Sequence, residues 1–381
     1  MRPGVGACAL ALVLLAGCGG ERAVVGAGGV DLADLLSTEA QSGFEDVTAP
    51  ARLDFPRDHG PHPGHRIEWW YYTANLQAAD GEAFGMQLAL FRLALRPGAA
   101  AEGWEAGQVF MAHLSVGELD AGRFHFDQRL ERPADGLAGA RAEPFRAWVG
   151  PCRVESTQAA SKFPLALACA GSNPVGEAFG VELELAAGKP RVLHGDQGYS
   201  EKSDLPGAAS YYYAYTRLPA SGALRLPGRP GPVAVTGEGW MDHEWGSIAL
   251  GAGQAGWDWF SLQLDDGHEL MFFQIRDRSG RPVSTRGSRI DPGGRVEAFA
   301  GGVVEAEPLR HWRSPHTGIR YPVAWRLRSR QLDLDLDVEA AMDDQELRTA
   351  VVYWEGAVRA RGQHRGRPVH GRGFLELTGH D

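Results

Sequence analysis

Long apolar runs, basic runs and helical periodicity are all nearly missing from this 381-residue chain. The N-terminal apolar stretch, Ala9 to Leu15, is too short to span a bilayer. The formal charge is −10 and there is no long basic run, which argues against a nucleic-acid partner. No Gly-x-Ser-x-Gly elbow is present. Ser200 comes nearest, in Gly198-Tyr199-Ser200-Glu201-Lys202, but it lacks flanking glycines on both sides and has only Lys202 as a base. Serine hydrolysis is therefore not expected. Metal spacing is equally thin. His243-Glu244 lacks a second histidine four residues on. His59, His62 and His65 recur every three residues, yet in a proline-broken segment that fixes no common face. His59 and His62 are expected to bond backbone groups or acids in the entry loop, and neither a metal nor a cofactor is expected.

What the chain does have is period-two patterning. Phe84, Met86, Leu88 and Leu90 alternate with Gly85, Gln87 and Ala89. Leu332, Leu334, Leu336 and Val338 alternate with Asp333, Asp335 and Asp337, which read as the wet face of a strand rather than a calcium loop. The 51 glycines and 23 prolines suit many turns, such as Asp80-Gly81 and Asp291-Pro292-Gly293-Gly294. Only the weak stretch Asp31–Ser42 could form a helix of any length. Strands run from Arg66 to Ala186, then a crossover over Lys189–Gly207, then a second set from Tyr211 to Thr378. The expected fold is all-β, with two antiparallel barrels over 46–206 and 207–381, because closure leaves few open edges. Such barrels have room for side chains and one small ligand. The basic run Arg359–Arg367 reads as a solvated hairpin tip or as a patch for lipid headgroups.

The N-terminus carries Arg2, the apolar run and then Leu15-Ala16-Gly17-Cys18, which resembles a bacterial lipoprotein box. That resemblance implies a signal peptide over 1–17, lipid on Cys18, a tether over 18–45 and an address on the periplasmic side of the membrane. Gly19 after the cysteine implies the outer membrane. With Cys8 removed and Cys18 lipidated, Cys152 and Cys169 remain, on the adjacent segments Ala147–Ser156 and Lys162–Gly171. In an oxidising compartment a disulfide fits, and so do two separately buried thiols.

Two tryptophan-rich blocks hold most of the chemistry: Glu68-Trp69-Trp70-Tyr71-Tyr72-Thr73 and Trp240-Met241-Asp242-His243-Glu244-Trp245-Gly246. A carboxylate costs several kcal/mol to bury unless paired or protonated. Acids set among rings therefore point to use rather than tolerance. These blocks, with Asp58-His59-Gly60-Pro61-His62-Pro63, Leu193-His194-Gly195, Ser210-Tyr211-Tyr212-Tyr213, Gly256-Trp257-Asp258-Trp259-Phe260 and Leu375-Glu376-Leu377-Thr378-Gly379, resemble in order a bacterial lipocalin-like family. It contains the AttH-type secreted proteins and, more distantly, the carotenoid 1,2-hydratases. Ala74 departs from the glycine usual there.

The resemblance implies two tandem lipocalin-like barrels packed together, with an aromatic ligand cleft at their junction. The hydratases' His-x-Trp pair resembles His243 and Trp245, which are expected to line that cleft with Tyr71, while Asp242 and Glu244 orient neighbours. The candidate catalytic residues are His243, Asp242 and Glu244, and the candidate ligand-binding residues are Trp69, Trp70, Tyr71, Trp240, Trp245 and Trp257. If each barrel supplies one wall, Trp70 or Tyr71 should come near His243 or Trp245. Two functions follow. One is a lipid-anchored carrier of a large hydrophobic ligand, serving an ABC-type exporter. The other is an enzyme that adds water to, or cyclises, a hydrophobic substrate by acid catalysis. An acid within hydrogen-bond reach of His243 would favour the enzyme.

Overall fold

The structure is a computed structural model that describes residues 43–98, 103–159, 161–203, 207–247, 250 and 253–381. The signal segment, Cys18, most of the tether and the stretch 31–42 lie outside the described residues. Strand dominates, as the alternating pattern requires. The single helical turn among the described residues is the 3-10 turn Arg57–His59.

Two large antiparallel sheets, of thirteen and ten strands, form two lipocalin-like barrels packed together. The first sheet curls until strand Arg123–Glu131 meets Ser161–Ser172, where the Ser172 amide donates to Asp127 Oδ2 at 3.2 Å. Closure there needs a glycine: a Cβ on Gly171 would lie 2.7 Å from that of Asp127. Trp70, Tyr72, Phe84, Leu88 and Leu167 fill this barrel, and Phe260, Phe272, Trp325 and Trp354 fill the second. A third apolar cluster, with Tyr71, Trp240, Trp259, Phe273 and Phe374, lies where the barrels meet.

The chain does not change sheet at 206/207. Strands Ala209–Arg225 and Val233–Gly246 pair with each other, and Val233–Gly246 also pairs with Ile67–Ala78 along its whole length, from Ile67↔Gly246 to Ala78↔Val235. Both belong to the first sheet, and the second begins with Gln254–Leu264. Ile67–Ala78 needs a partner on its second hydrogen-bonding edge, and a twelve-residue aromatic strand is best matched by another as long. The crossover therefore returns the chain to the first barrel.

Cys152 and Cys169 are joined by a disulfide between neighbouring strands, with Cα atoms 3.9 Å apart and a sequence separation of 17. Replacing both with alanine is expected to lower stability by about 3 kcal/mol in the chain-entropy picture. A denaturant titration checks this, and an unchanged midpoint would contradict it. Asp335 faces out to Arg326 at 2.8 Å, the wet-face role expected of the aspartate ladder. Arg365 and Gly366 form the turn between strands Val352–His364 and Arg367–Leu377, so the basic run sits on a hairpin tip.

Candidate functional site

Strand alternation sorts the two aromatic blocks into two chemically different faces. Register pairs Trp70 with His243 and Glu68 with Trp245, and these four side chains point into the first barrel. The intervening pairs, Tyr71 with Asp242 and Trp69 with Glu244, point the other way, toward the second barrel.

Inside the first barrel, Glu68 is a fully buried hub. Its carboxylate accepts from Arg92 Nε at 2.8 Å and from the His62 amide at 2.9 Å, and it lies 2.7 Å from His62 Nδ1 and 2.9 Å from His243 Nε2. Burial opposes its charge, but His62 and Arg92 outweigh burial and hold its pKa well below the usual range. His243 is pushed down to about 4 by burial, against the pull of Glu68, so it is neutral at pH 7. A neutral His243 beside an ionised Glu68 carries its proton on Nε2. Its Nδ1 then accepts from the Tyr213 hydroxyl, 3.2 Å away. Trp70 stacks on His243 with centroids 4.8 Å apart, and Trp245 on His62 at 3.8 Å.

His62, Glu68 and His243 bring ligand atoms within 4.8 Å of one another, as do Asp266, His268 and His364. Glu68 already accepts from four donors, one of them Arg92, which would repel a cation. Its arrangement is that of a saturated hydrogen-bonded carboxylate. Of the other histidines, His59 Nδ1 sits 2.8 Å from the Tyr213 hydroxyl and His65 Nδ1 lies 2.9 Å from the Glu45 carbonyl.

The second face bounds a cavity of about 130 Å³ between the barrels. Trp69, Tyr71, Tyr212, Asp242 and Glu244 come from the first sheet, and Trp257, Trp259, Tyr353, Glu355 and Glu376 from the second. Its lining is mainly aromatic and aliphatic, which makes the acids unusual. Burial pushes Asp242 up to about 8, even though Trp240 Nε1 and the Tyr212 hydroxyl donate to its two oxygens at 2.7 and 2.9 Å. Glu355 and Glu376 sit directly opposite on paired strands. Burial first, and then the neighbouring Glu376, hold Glu355 well above the normal carboxyl range. Glu376 is raised to about 7 by burial, opposed by the indole of Trp257, which donates to it at 3.0 Å. Buried Glu355 Oε1 and the Tyr71 hydroxyl make no hydrogen bond of full geometry, although the hydroxyls of Tyr71 and Tyr353 interact with the Glu355 carboxyl and oppose the rise of its pKa, and all three residues line the cavity. Incompletely satisfied buried polar atoms are costly, so the pair marks where a guest hydroxyl or water would bind.

The expected cleft residues therefore divide. Trp69, Tyr71, Asp242, Glu244 and Trp257 line the cavity. Trp240 stands behind it, bonded to Asp242 and packed edge-on to Trp259. Trp70, His243 and Trp245 do not line it. They lie in the first barrel, because a one-residue step along a strand reverses the side chain. The two blocks do meet, as neighbouring strands of one barrel rather than as walls from two. Tyr212, Trp259 and Glu376 stand in the motifs that carry the family resemblance but were not named as site residues, and Tyr353 and Glu355 lie outside those motifs. Glu355 lies in Tyr353-Trp354-Glu355-Gly356, an acid among rings like the two blocks, and that signal could have found it.

The AttH-like family profile matches residues 46–380. The chain belongs to the AttH-like family. A solved AttH-type protein of Nitrosomonas europaea is 32% identical, covering 89% of this chain and 100% of its own, with a TM-score of 0.77. Kievitone hydratase of Nectria haematococca is 16% identical, covering 88% of this chain and 96% of its own at a TM-score of 0.65, a likeness of fold. No curated protein matches the sequence. In this AttH-like chain, Ala74 sits on the inner face between Gly239 and Met86, fully packed.

Asp242 supplies a pH test of the cavity. Its folded pKa is raised, so its contribution is full below the unfolded value and is lost as pH rises toward about 8. Asp242→Asn cannot ionise. Its stability relative to the parent is expected to rise between pH 5 and 9, by up to about 5 kcal/mol. Parallel denaturation curves at the two pH values check it, and a constant difference would show an Asp242 that ionises normally.

Proposed function

We propose that the protein is a hydro-lyase that adds water across a carbon–carbon double bond of an apolar substrate held between the barrels. The observation that carries this reading is Glu355: a buried carboxyl, kept neutral, facing an aromatic cavity with one oxygen that meets only the neighbouring tyrosine hydroxyls and makes no hydrogen bond of full geometry. Protonating an unactivated alkene needs an acid that still holds its proton at neutral pH. Glu355 delivers that proton to carbon. The resulting tertiary cation is flanked by the rings of Trp69, Tyr71, Trp257 and Trp259, worth about 2 kcal/mol per well-placed desolvated ring. Glu376, poised near pH 7, takes a proton from the attacking water. A proton passed from Glu376 back to the facing Glu355 restores the starting state. Asp242 contributes no negative charge at neutral pH, and Glu68, on the neighbouring strand, orients His243 on the far face of the same sheet.

Size narrows the substrate. A dry cavity of about 150 Å³ holds benzene, so the observed space of about 130 Å³ suits a branched five-carbon alkene end rather than a whole carotenoid. The fold likeness to kievitone hydratase is in keeping with this reading and does not carry it. Incubation of the purified protein in ¹⁸O-water with prenylated phenols and short terpenes is expected to yield a tertiary alcohol with one ¹⁸O per molecule. Failure across such a panel, with the ligands shown to bind, would return the carrier reading, which rests on the same apolar cavity.

We further infer that the protein is exported and held to the periplasmic face of a membrane through Cys18. Leu15-Ala16-Gly17-Cys18 supports this. Cys18→Ala is expected to give a soluble or uncleaved chain that no longer takes up labelled palmitate. Unchanged labelling would remove the anchor. No feature of the described residues bears on an exporter partner.

A further inference from the structure

In the second barrel, strands Gln254–Leu264 and Glu269–Asp277 are joined by the turn Asp265-Asp266-Gly267-His268. Strand Val352–His364 ends beside that turn, on His364. In the sheet, strand Arg367–Leu377 lies between Gln254–Leu264 and Val352–His364, so Asp266 and His364 meet across it, 98 positions apart in the chain. Trp257 and Trp259, which line the inter-barrel cavity, stand toward the other end of Gln254–Leu264. Both histidines are buried, and their rings meet edge to face with centroids 4.6 Å apart. The Asp266 carboxylate, one-third exposed, bridges them. Its Oδ2 accepts from His364 Nδ1 at 2.6 Å, and its Oδ1 lies 3.2 Å from His268 Nδ1.

One ligand atom from each of the three residues lies within 4.8 Å of the other two. His268 Nδ1 is buried, aims at the carboxylate and makes no hydrogen bond of full geometry. A buried nitrogen in that state is costly, and a cation between the three groups would accept its lone pair. The surrounding charge separates this cluster from that of His62, Glu68 and His243. Glu68 is held by Arg92, whereas no Arg or Lys pairs with Asp266 among the described residues. The cations beside the turn are engaged elsewhere. Arg289 donates to Glu297 and to the Leu332 carbonyl, and Lys189 to Glu269 and to the carbonyls of Gly267 and Asp291. Besides the two rings, Asp266 meets only the His268 amide, at 3.0 Å, which leaves it lone pairs to give.

We propose that Asp266, His268 and His364 bind one divalent transition-metal ion of the zinc class, which ties the Asp265–His268 turn to the end of strand Val352–His364. Two imidazoles and one carboxylate suit Zn²⁺ and its neighbours rather than Mg²⁺ or Ca²⁺, which prefer oxygen ligands throughout. Tetrahedral ligands of zinc stand about 3.3 Å from one another, close to the 3.2 Å between Asp266 Oδ1 and His268 Nδ1. The 2.6 Å contact of Asp266 with His364 is a hydrogen bond, and it lengthens as the ion displaces the shared proton. The exposed side of the carboxylate gives the ion its way in from water and leaves the fourth position to a water molecule. The tie lies at the end of the second barrel away from the inter-barrel cavity, so its role is to hold that end together.

The test takes the full chain without a histidine tag, strips it with EDTA and titrates it with zinc chloride at pH 7 in a calorimeter. Saturable uptake of one ion per chain is expected. At about 100-fold excess over the dissociation constant, zinc should raise the unfolding midpoint by about 3 °C or more. Magnesium chloride should leave the midpoint where it is. Asp266→Asn and His364→Gln are each expected to weaken zinc binding at least about tenfold, since even the partners of metal ligands are worth about 10- to 100-fold. His62→Gln should leave it unchanged. No saturable uptake, an equal response to magnesium, binding that survives both Asp266→Asn and His364→Gln, or binding lost in His62→Gln would each overturn the proposal. Asp266 sits on a turn with its carboxylate partly in water, so its variant decides the matter even if the buried His364→Gln fails to fold.

Discussion

Glu355→Gln is expected to lower the hydration rate by about 10²- to 10⁴-fold, the range a positioned general acid contributes. The substitution keeps the shape and polarity of the side chain but removes the only proton it could give to carbon. KM should change little, because the cavity's aromatic walls are untouched. Stability should also change little, since Glu355 is neutral in the folded protein and an amide replaces it at similar cost. That combination separates a chemical role from a structural one. Steady-state kinetics on the ¹⁸O-labelled product, with thermal unfolding alongside, checks it. A variant retaining more than a tenth of the parent's turnover would remove Glu355 as the donor and move the role to Asp242.

The largest expected loss of stability follows Arg92→Leu. Arg92 is 1% exposed, and its guanidinium donates to Glu68 and to the carbonyls of His62 and His65. Deleting it leaves a fully buried carboxylate short of its one permanent cation. Breaking a buried pair from one side costs about 3–5 kcal/mol. The pH dependence has a definite sign. Glu68 has a depressed folded pKa, so its favourable contribution is present above the unfolded value near 4.5 and disappears as pH falls through the folded one. The variant's deficit should accordingly be greatest near neutrality and shrink in acid. Guanidinium titrations at pH 7 and pH 4 measure it. Adding Glu68→Gln to Arg92→Leu should recover part of the loss, and a double variant no better than the single would contradict the buried-charge account.

Much of the wall between the barrels could be read before any coordinates. Trp69, Tyr71, Asp242, Glu244 and Trp257 were all singled out, and all line the cavity. The error lay in the face of one strand. For Val233–Gly246, alternation separates Asp242 and Glu244 from His243 and Trp245, but both sets end up buried, one in each of two cores. A strand with a wet side shows its orientation in its polarity, whereas a strand packed on both sides does not. The division at 206/207 went astray for a related reason. Ala209–Arg225 and Val233–Gly246 look like the start of a second set of strands, and nothing local shows that they pair back to Ile67–Ala78.

Glu355 and Glu376 illustrate the remaining gap. Both lie on alternating strands, 113 and 134 positions along the chain from Asp242. Their chemistry arises only when two strands place the carboxyls opposite one another and the first barrel closes over them. The sequence alone determined the all-β class, the family, the aromatic blocks and the presence of acids that water could not easily reach. Those properties are set by side-chain period and composition, which are local. Which acids keep their protons, which face a cavity and which serve as ionised anchors was decided by the tertiary structure. Desolvation and charge pairing depend on what lies within a few ångströms in space, and in two packed barrels most of those neighbours come from distant parts of the chain.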